Sequence, residues 1–215
     1  MNIMITLKNT LFEGIIFDID GTLWDSTKAC AIAWNDVLNT YGYNHKLTEQ
    51  DARSLSGIKL EIMFPQFFPF VPKSQYSDIL ECYKNKEKYF MKILGGTLYP
   101  NVIHILKQLS KKTKLYIVSN CIDGYIEIFI NFNKLHLIFT DYESAGKTGL
   151  EKKENLRLLI ERNQIENPLY IGDTISDYEA AISNNIPFIY AAYGFGNVTN
   201  AEYKIDNFSD LLILI

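Results

Sequence analysis

Asp18 and Asp20 stand one residue apart where the apolar run Gly14-Ile15-Ile16-Phe17 ends. In an extended strand alternate side chains share a face, so both carboxylates can point one way while Ile19 turns to the core. Two acids so placed can hold a divalent cation, supply a nucleophile, or divide acid and base work. A solvated strand end before the Gly21 turn is the plainer alternative. Ser119-Asn120 closes a second apolar run and offers a hydroxyl, an amide and backbone N–H groups to an oxyanion, although such a pair also serves as an ordinary turn or helix cap. Asp173 and Asp177 add two acids four residues apart, the second suited to a helix start. Three lysines, Lys147, Lys152 and Lys153, precede a helical pattern upstream of them. Most lysines belong to a solvated face, but one of these can reach both the acids and a bound phosphate. Clustered carboxylates raise one another's pKa unless cations are present, and a hard-oxygen set of this kind suits Mg²⁺, which also takes oxygens from phosphate.

These residues need a scaffold that brings strand ends together. Besides residues 14–17, apolar runs occur at Leu115-Tyr116-Ile117-Val118, Leu137-Ile138-Phe139, Leu169-Tyr170-Ile171 and Phe188-Ile189-Tyr190-Ala191. Helical periodicity lies between them, in Val102–Leu109, Leu156–Ile160 and Tyr178–Ile182. Strands alternating with helices predict an α/β fold with a Rossmann-like parallel sheet, which binds ligands outside the carboxyl ends of its strands. Asp18, Ser119 and Asp173 all fall at such ends.

From Trp24 to residue 95 the alternation stops. Ser26 to Gly42 reads as a helix capped by Ser26, Thr48-Glu49-Gln50-Asp51 as a capping box, and Ser74 to Leu94 as a long helix. This predicts an all-helical insertion after the first strand: a core of residues 1–23 and 96–215, and a helical cap of residues 24–95. In Phe64-Pro65-Gln66-Phe67-Phe68-Pro69-Phe70-Val71-Pro72 the prolines are expected to break any helix, while the aromatics fit a cap core, with a substrate pocket or dimer contact as alternatives.

With 215 residues, 47% of them hydrophobic, the chain can bury a substantial core. A net charge of -4 and a pI near 5.4 argue against nucleic-acid and anionic-membrane partners. The three cysteines, Cys30, Cys82 and Cys121, lack zinc-site spacing and cannot all pair, so a reducing cytoplasm is expected. Residues 1–8 carry no long apolar leader, and no apolar run approaches the length of a membrane span, so a soluble protein is expected.

Taken together, the motifs resemble those of the haloacid dehalogenase (HAD) superfamily, in its helical-cap, phosphoglycolate phosphatase-like branch. Asp18-Ile19-Asp20-Gly21-Thr22-Leu23-Trp24-Asp25 is similar to DxDGTLxD, Tyr116–Asn120 to a strand ending in Ser or Thr, and Tyr170–Ala181 to GDxxxDxxAA. The family's Lys-Pro pair is missing. Lys152 fits the family lysine by its place before a helix, Lys147 is the alternative because it follows a glycine, and Lys153 is third. The resemblance implies a Mg²⁺-dependent phosphatase acting on a small phosphate monoester, such as phosphoglycolate, a sugar phosphate or a nucleotide. It makes Asp18 the nucleophile and Asp20 the general acid and base. Mg²⁺ would be held by Asp18, the Asp20 carbonyl and Asp173, with Asp177 in support. Ser119, Asn120 and Lys152 would hold the phosphoryl group, and the cap would close over the site and set specificity. The partner implied is a small phosphorylated metabolite, and the protein a monomer or homodimer. Dehalogenases lack the second acid, and the cap histidine of the β-phosphoglucomutase branch has no counterpart, Cys30 falling near its place. A phosphoglucomutase-type transferase and a non-catalytic binding or regulatory module remain the alternatives.

Overall fold

The computed structural model describes residues 7, 10–55 and 60–215, so most of the N-terminal segment read above as leaderless lies outside the described residues. The chain begins with strand β1 (Gly14–Phe17), followed after a tight turn by the short strand β2 (Trp24–Asp25). Helices α1 (Thr27–Thr40), α2 (Glu49–Leu55), α3 (Leu60–Phe67) and α4 (Tyr76–Leu94) follow, and β3 (Thr97–Leu98) pairs with β2. Next come α5 (Val102–Leu109), β4 (Lys114–Ser119), α6 (Tyr125–Phe132), β5 (Asp141–Ser144), α7 (Ala145–Thr148) and α8 (Lys152–Asn163). The chain finishes with β6 (Pro168–Gly172), α9 (Ile175–Ser183), β7 (Phe188–Ala191), β8 (Tyr203–Ile205) and α10 (Leu211–Leu214).

Six strands form one parallel sheet in the order β5-β4-β1-β6-β7-β8, as the α/β reading expects. β1 lies between β4 and β6, with Phe17 opposite Ile117 on one side and Ile171 on the other. That register sets Asp18, Ser119 and Asp173 at one end of three adjacent strands. Central strands covered on both faces need near-continuous apolar sequence. Accordingly all of β1 is buried, and Ile16, Tyr116, Val118 and Tyr170 share a core with Leu156 and Leu159 of α8 and Ala180 and Ala181 of α9.

Two compact units can be separated. One comprises residues 1–24, 98–123 and 135–215, and holds the six-stranded sheet; the other comprises residues 25–97 and 124–134. The second unit thus includes α6, which the sequence reading leaves with the sheet. Its core gathers Trp34, Val37 and Leu38 of α1 with Phe64, Phe68, Val71 and Ile79. Trp34 stacks on Tyr83 at 4.0 Å between ring centroids, and Phe64 on Tyr76 at 4.0 Å.

Three local expectations are corrected. The run Leu137-Ile138-Phe139 is not a strand: Leu137 is 97% exposed, and β5 begins only at Asp141. β5 lies at a sheet edge, so it tolerates charge. Arg162 of α8 holds Asp141 and Glu143 at 2.6 and 2.5 Å and ties the strand down by side chains rather than by apolar burial. Pro65 sits inside α3 instead of ending it, since its flanking aromatics Phe64 and Phe68 are almost wholly buried. Burial of each is worth about 1.5–3 kcal/mol, together enough to offset the roughly 3 kcal/mol cost of an interior proline. Ser26 does not cap α1 with its side chain; Asp25 Oδ1 accepts from the Thr27 N–H at 3.0 Å instead. The Thr48–Asp51 capping box forms as read.

Candidate active site

Four of the residues singled out by sequence meet at the carboxyl ends of β1 and β6. Asp18 follows β1, Asp173 follows β6, Asp177 lies in the first turn of α9, and Lys152 is the first residue of α8. Lys152 Nζ donates to Asp18 Oδ1 at 2.9 Å and to Asp177 Oδ1 at 2.6 Å, and all three side chains are buried. The other two lysines point elsewhere: Lys147 pairs with Glu143 at 3.6 Å and Lys153 with Glu151 at 3.0 Å, both about half exposed.

The three aspartates differ in what they can still accept. Asp177 is saturated. Its Oδ1 also takes the Tyr170 hydroxyl at 2.8 Å, and its Oδ2 takes the Thr174 hydroxyl and the backbone N–H groups of Thr174 and Asp173. Five donors exceed the roughly four lone-pair positions of a carboxylate. Asp173 accepts one bond per oxygen, from the Thr22 hydroxyl at 3.0 Å and the Phe195 N–H at 2.7 Å. Asp18 accepts on Oδ1 from Lys152, and its Oδ2 takes no hydrogen bond from the described residues.

Protonation follows these partners. Burial alone would raise Asp177, yet Lys152 and the Thr174 donors hold it below the usual carboxylate range. Burial alone would lower Lys152, but Asp177 and Asp18 outweigh it and keep the ammonium charged. For Asp18 burial wins: it pushes the carboxyl well above the ordinary range against the pull of Lys152, with Asp177 and Asp173 adding repulsion. Asp173 is pushed up to about 7 by burial and by Asp177, against the Phe195 and Thr22 donors.

A divalent cation fits this set. Ligand oxygens of Asp18, Asp173 and Asp177 lie within 4.8 Å of one another. The two carboxylates that resist ionisation are the two with accepting capacity to spare, which is the deficit a bound cation relieves. Asp177, fully occupied, instead anchors Lys152.

The surrounding backbone is shaped to this cluster. Gly21 has φ +86°, and a Cβ there would overlap the Asp173 carboxylate. Gly194 packs against Asp173 and the Gly21 carbonyl just as closely. Gly21→Ala is expected to cost about 1–3 kcal/mol from its left-handed conformation alone, read as a lower urea midpoint, and to weaken divalent-cation binding by displacing Asp173. An unchanged midpoint would contradict this packing.

The remaining sequence candidates lie nearby in different roles. The Asp20 carboxylate is not in the acidic cluster; its Oδ1 accepts from the Trp24 indole N–H at 3.1 Å. Ser119, buried at the end of β4, accepts on Oγ from the Cys121 N–H at 3.3 Å. Asn120 is exposed, with its amide 3.4 Å from Ser176 Oγ. Sequence reasoning missed Thr22, Trp24, Tyr170, Thr174 and the Phe195 N–H. Two of them carried a readable signal: Thr174, which forms a capping box with Asp177 and orients the acid, and Phe195, whose flanking glycines Gly194 and Gly196 mark a close backbone approach to Asp173.

With this geometry in view, comparison with known proteins is informative. Residues 15–191 match the family model described as haloacid dehalogenase-like hydrolase. A phosphoglycolate phosphatase of Aquifex aeolicus is 25% identical over 94% of this chain and 95% of its own. A phosphoglycolate phosphatase of Rhodobacter capsulatus is 28% identical over 84% of each. Among solved structures, a haloacid dehalogenase-like hydrolase from Streptococcus pneumoniae superposes with a TM-score of 0.84 at 22% identity, covering 95% of this chain and 98% of that one; it shares the fold.

Proposed function

Because the chain belongs to the haloacid dehalogenase-like hydrolase family, we propose that it is a Mg²⁺-dependent phosphatase that hydrolyses a small phosphate monoester through an aspartyl-phosphate on Asp18. The observation that carries this reading is the buried Lys152 ammonium joining Asp18 to the saturated Asp177, beside a second cation-accepting carboxylate, Asp173. Lysine there holds the nucleophile in place and offers positive charge to a phosphoryl group, without which the acids would repel an anionic ester.

Asp18 attacks phosphorus in line, forming the acyl-phosphate bond as the ester P–O bond breaks. Asp20 gives its proton to the leaving alkoxide. It then takes a proton from water as that water attacks the aspartyl-phosphate, which releases inorganic phosphate and the free Asp18 carboxylate. Ser119 and the Asn120 N–H, at the end of β4, bind the transferring oxygens. Asp18, Asp173 and the Asp20 carbonyl would hold Mg²⁺. When bound, the ion supplies charge neutralisation to the phosphoryl oxygens.

The relatives' name makes phosphoglycolate the first ester to assay, followed by sugar phosphates and nucleotides. A cytoplasmic setting fits the three cysteines Cys30, Cys82 and Cys121, none of which is in a disulfide. Among the described residues no helix is long and apolar enough to cross a membrane.

Two readouts test the proposal. Phosphate release from these esters should require Mg²⁺ and stop with EDTA; no release from any of them at saturating Mg²⁺ would refute it. Stability should respond to the ion in a pH-dependent way. In the metal-free protein the folded pKa of Asp173, about 7, exceeds the ordinary carboxylate value, so the folded state holds more protons in between. The contribution of Asp173 to stability therefore falls as pH rises from about 4 to 7. Mg²⁺ offsets that loss, so it should raise Tm more at pH 8 than at pH 5. An equal gain at both would contradict binding through Asp173.

A further inference from the structure

Trp24 is completely buried, and its indole N–H, which needs a partner in such a setting, donates to Asp20 Oδ1 at 3.1 Å. The segment joining the two residues is closed on itself. The N–H groups of Thr22, Leu23 and Trp24 all donate to the Ile19 carbonyl, at 3.1, 2.8 and 3.2 Å, and the Gly21 N–H donates to the Trp24 carbonyl at 2.9 Å. Asp20 and Trp24 also face each other as an isolated bridge. The turn is fastened to the rest of the site as well: the Thr22 hydroxyl donates to Asp173 Oδ1, and the Thr22 carbonyl accepts from the Tyr193 hydroxyl at 2.8 Å. The Asp20 carboxylate is thus gripped by a ring that has no freedom of its own.

An indole N–H donates and cannot accept. The carbonyl oxygen of a protonated carboxyl is a better acceptor than its hydroxyl oxygen, so the indole bond favours Oδ1 as the carbonyl and the other oxygen as the one that carries the proton. We propose that Trp24 is the positioning residue for Asp20: its indole bond fixes the carboxylate plane and so favours Oδ2 as the oxygen that exchanges a proton with the leaving group. The inference rests on the acid and base role given to Asp20 above. Its consequence is selective, because only esters whose leaving group must be protonated depend on where that proton lies. An alkoxide needs it; p-nitrophenolate leaves without it.

The test compares kcat/KM, which reports the steps up to departure of the leaving group, for phosphoglycolate and for p-nitrophenyl phosphate. In Trp24→Phe, kcat/KM should fall about tenfold for the alkyl ester, a fraction of the 10²–10⁴-fold typical of general acid catalysis, and stay within about twofold for the aryl ester. Asp20→Asn should split the two esters in the same direction and further. If Trp24→Phe does not fold, 3-benzothienylalanine at position 24, which keeps the bicyclic shape and lacks the N–H, should give the same split. Equal losses for both esters would mean that Trp24 only fills space, and no loss for either would mean that the bond is idle; each overturns the inference. If the parent protein hydrolyses neither ester nor any other monoester at saturating Mg²⁺, the functional reading itself falls and takes this one with it.

Discussion

Asp18→Asn should abolish phosphate release, by at least about 10³-fold in kcat as expected on removing a nucleophile, without weakening the fold. The two halves of this expectation have the same origin. Asp18 is buried, and burial outweighs the attraction of Lys152, so its carboxyl sits well above the ordinary range. A group whose folded pKa exceeds its unfolded one costs stability once pH rises past the unfolded value. The neutral amide removes that cost, while Lys152 keeps its second partner, Asp177. At pH 8 without divalent cations, the Tm of Asp18→Asn should therefore equal or exceed that of the parent. Loss of activity with a gain of stability marks a residue strained for chemistry; a variant that is both active and less stable would reverse the assignment.

Lys152→Met should fail in both respects. Methionine keeps much of the length of the lysine side chain but leaves the Asp18 and Asp177 carboxylates buried without their shared cation. Breaking a buried pair of this kind costs about 3–5 kcal/mol. Losing a charged donor to the phosphoryl group costs about 10²–10³-fold in kcat. The stability loss should shrink in acid, where both carboxyl groups take up protons. Lys147→Ala and Lys153→Ala are the controls: the second removes an exposed pair worth at most about 1 kcal/mol, the first leaves the buried Glu143 its other partner, Arg162, and each should change kcat by less than about threefold. A larger kcat loss at Lys147 than at Lys152 would assign the lysine role to the wrong helix turn.

The choice among those lysines illustrates what the sequence could and could not convey. β1, β4, β6 and β7 were legible because strands buried on both faces are written as apolar runs. β5 was not, since an edge strand held by Arg162 needs no such run, and the apolar Leu137-Ile138-Phe139 beside it drew the eye. β8, three residues long with Lys204 at its centre, left no signal either. In the site, Asp18, Asp173 and Asp177 were legible from type and spacing. Position before a helix ranks Lys152 ahead of Lys147 and Lys153 but does not exclude them, because only the direction of the first turn of α8 decides which ammonium turns inward. The groups that orient the acids were hidden for a further reason. Phe195 acts through its N–H, which every residue except proline possesses, so that only its flanking glycines mark it, and Tyr170 reads as one more apolar strand position until its hydroxyl is seen on Asp177. Trp24 likewise passes for core until its indole is traced to Asp20.

The central claim is that phosphate passes through Asp18. Mixing the protein with Mg²⁺ and one equivalent of a phosphate ester it turns over, quenching in acid within milliseconds, reducing with borohydride and mapping peptides by mass addresses it directly. An acyl-phosphate is reduced to the alcohol, so the account predicts homoserine at position 18, appearing and decaying as phosphate is released, and absent in Asp18→Asn. Turnover of the ester with homoserine at any other aspartate, or with none at position 18 at any time in the course, would contradict it.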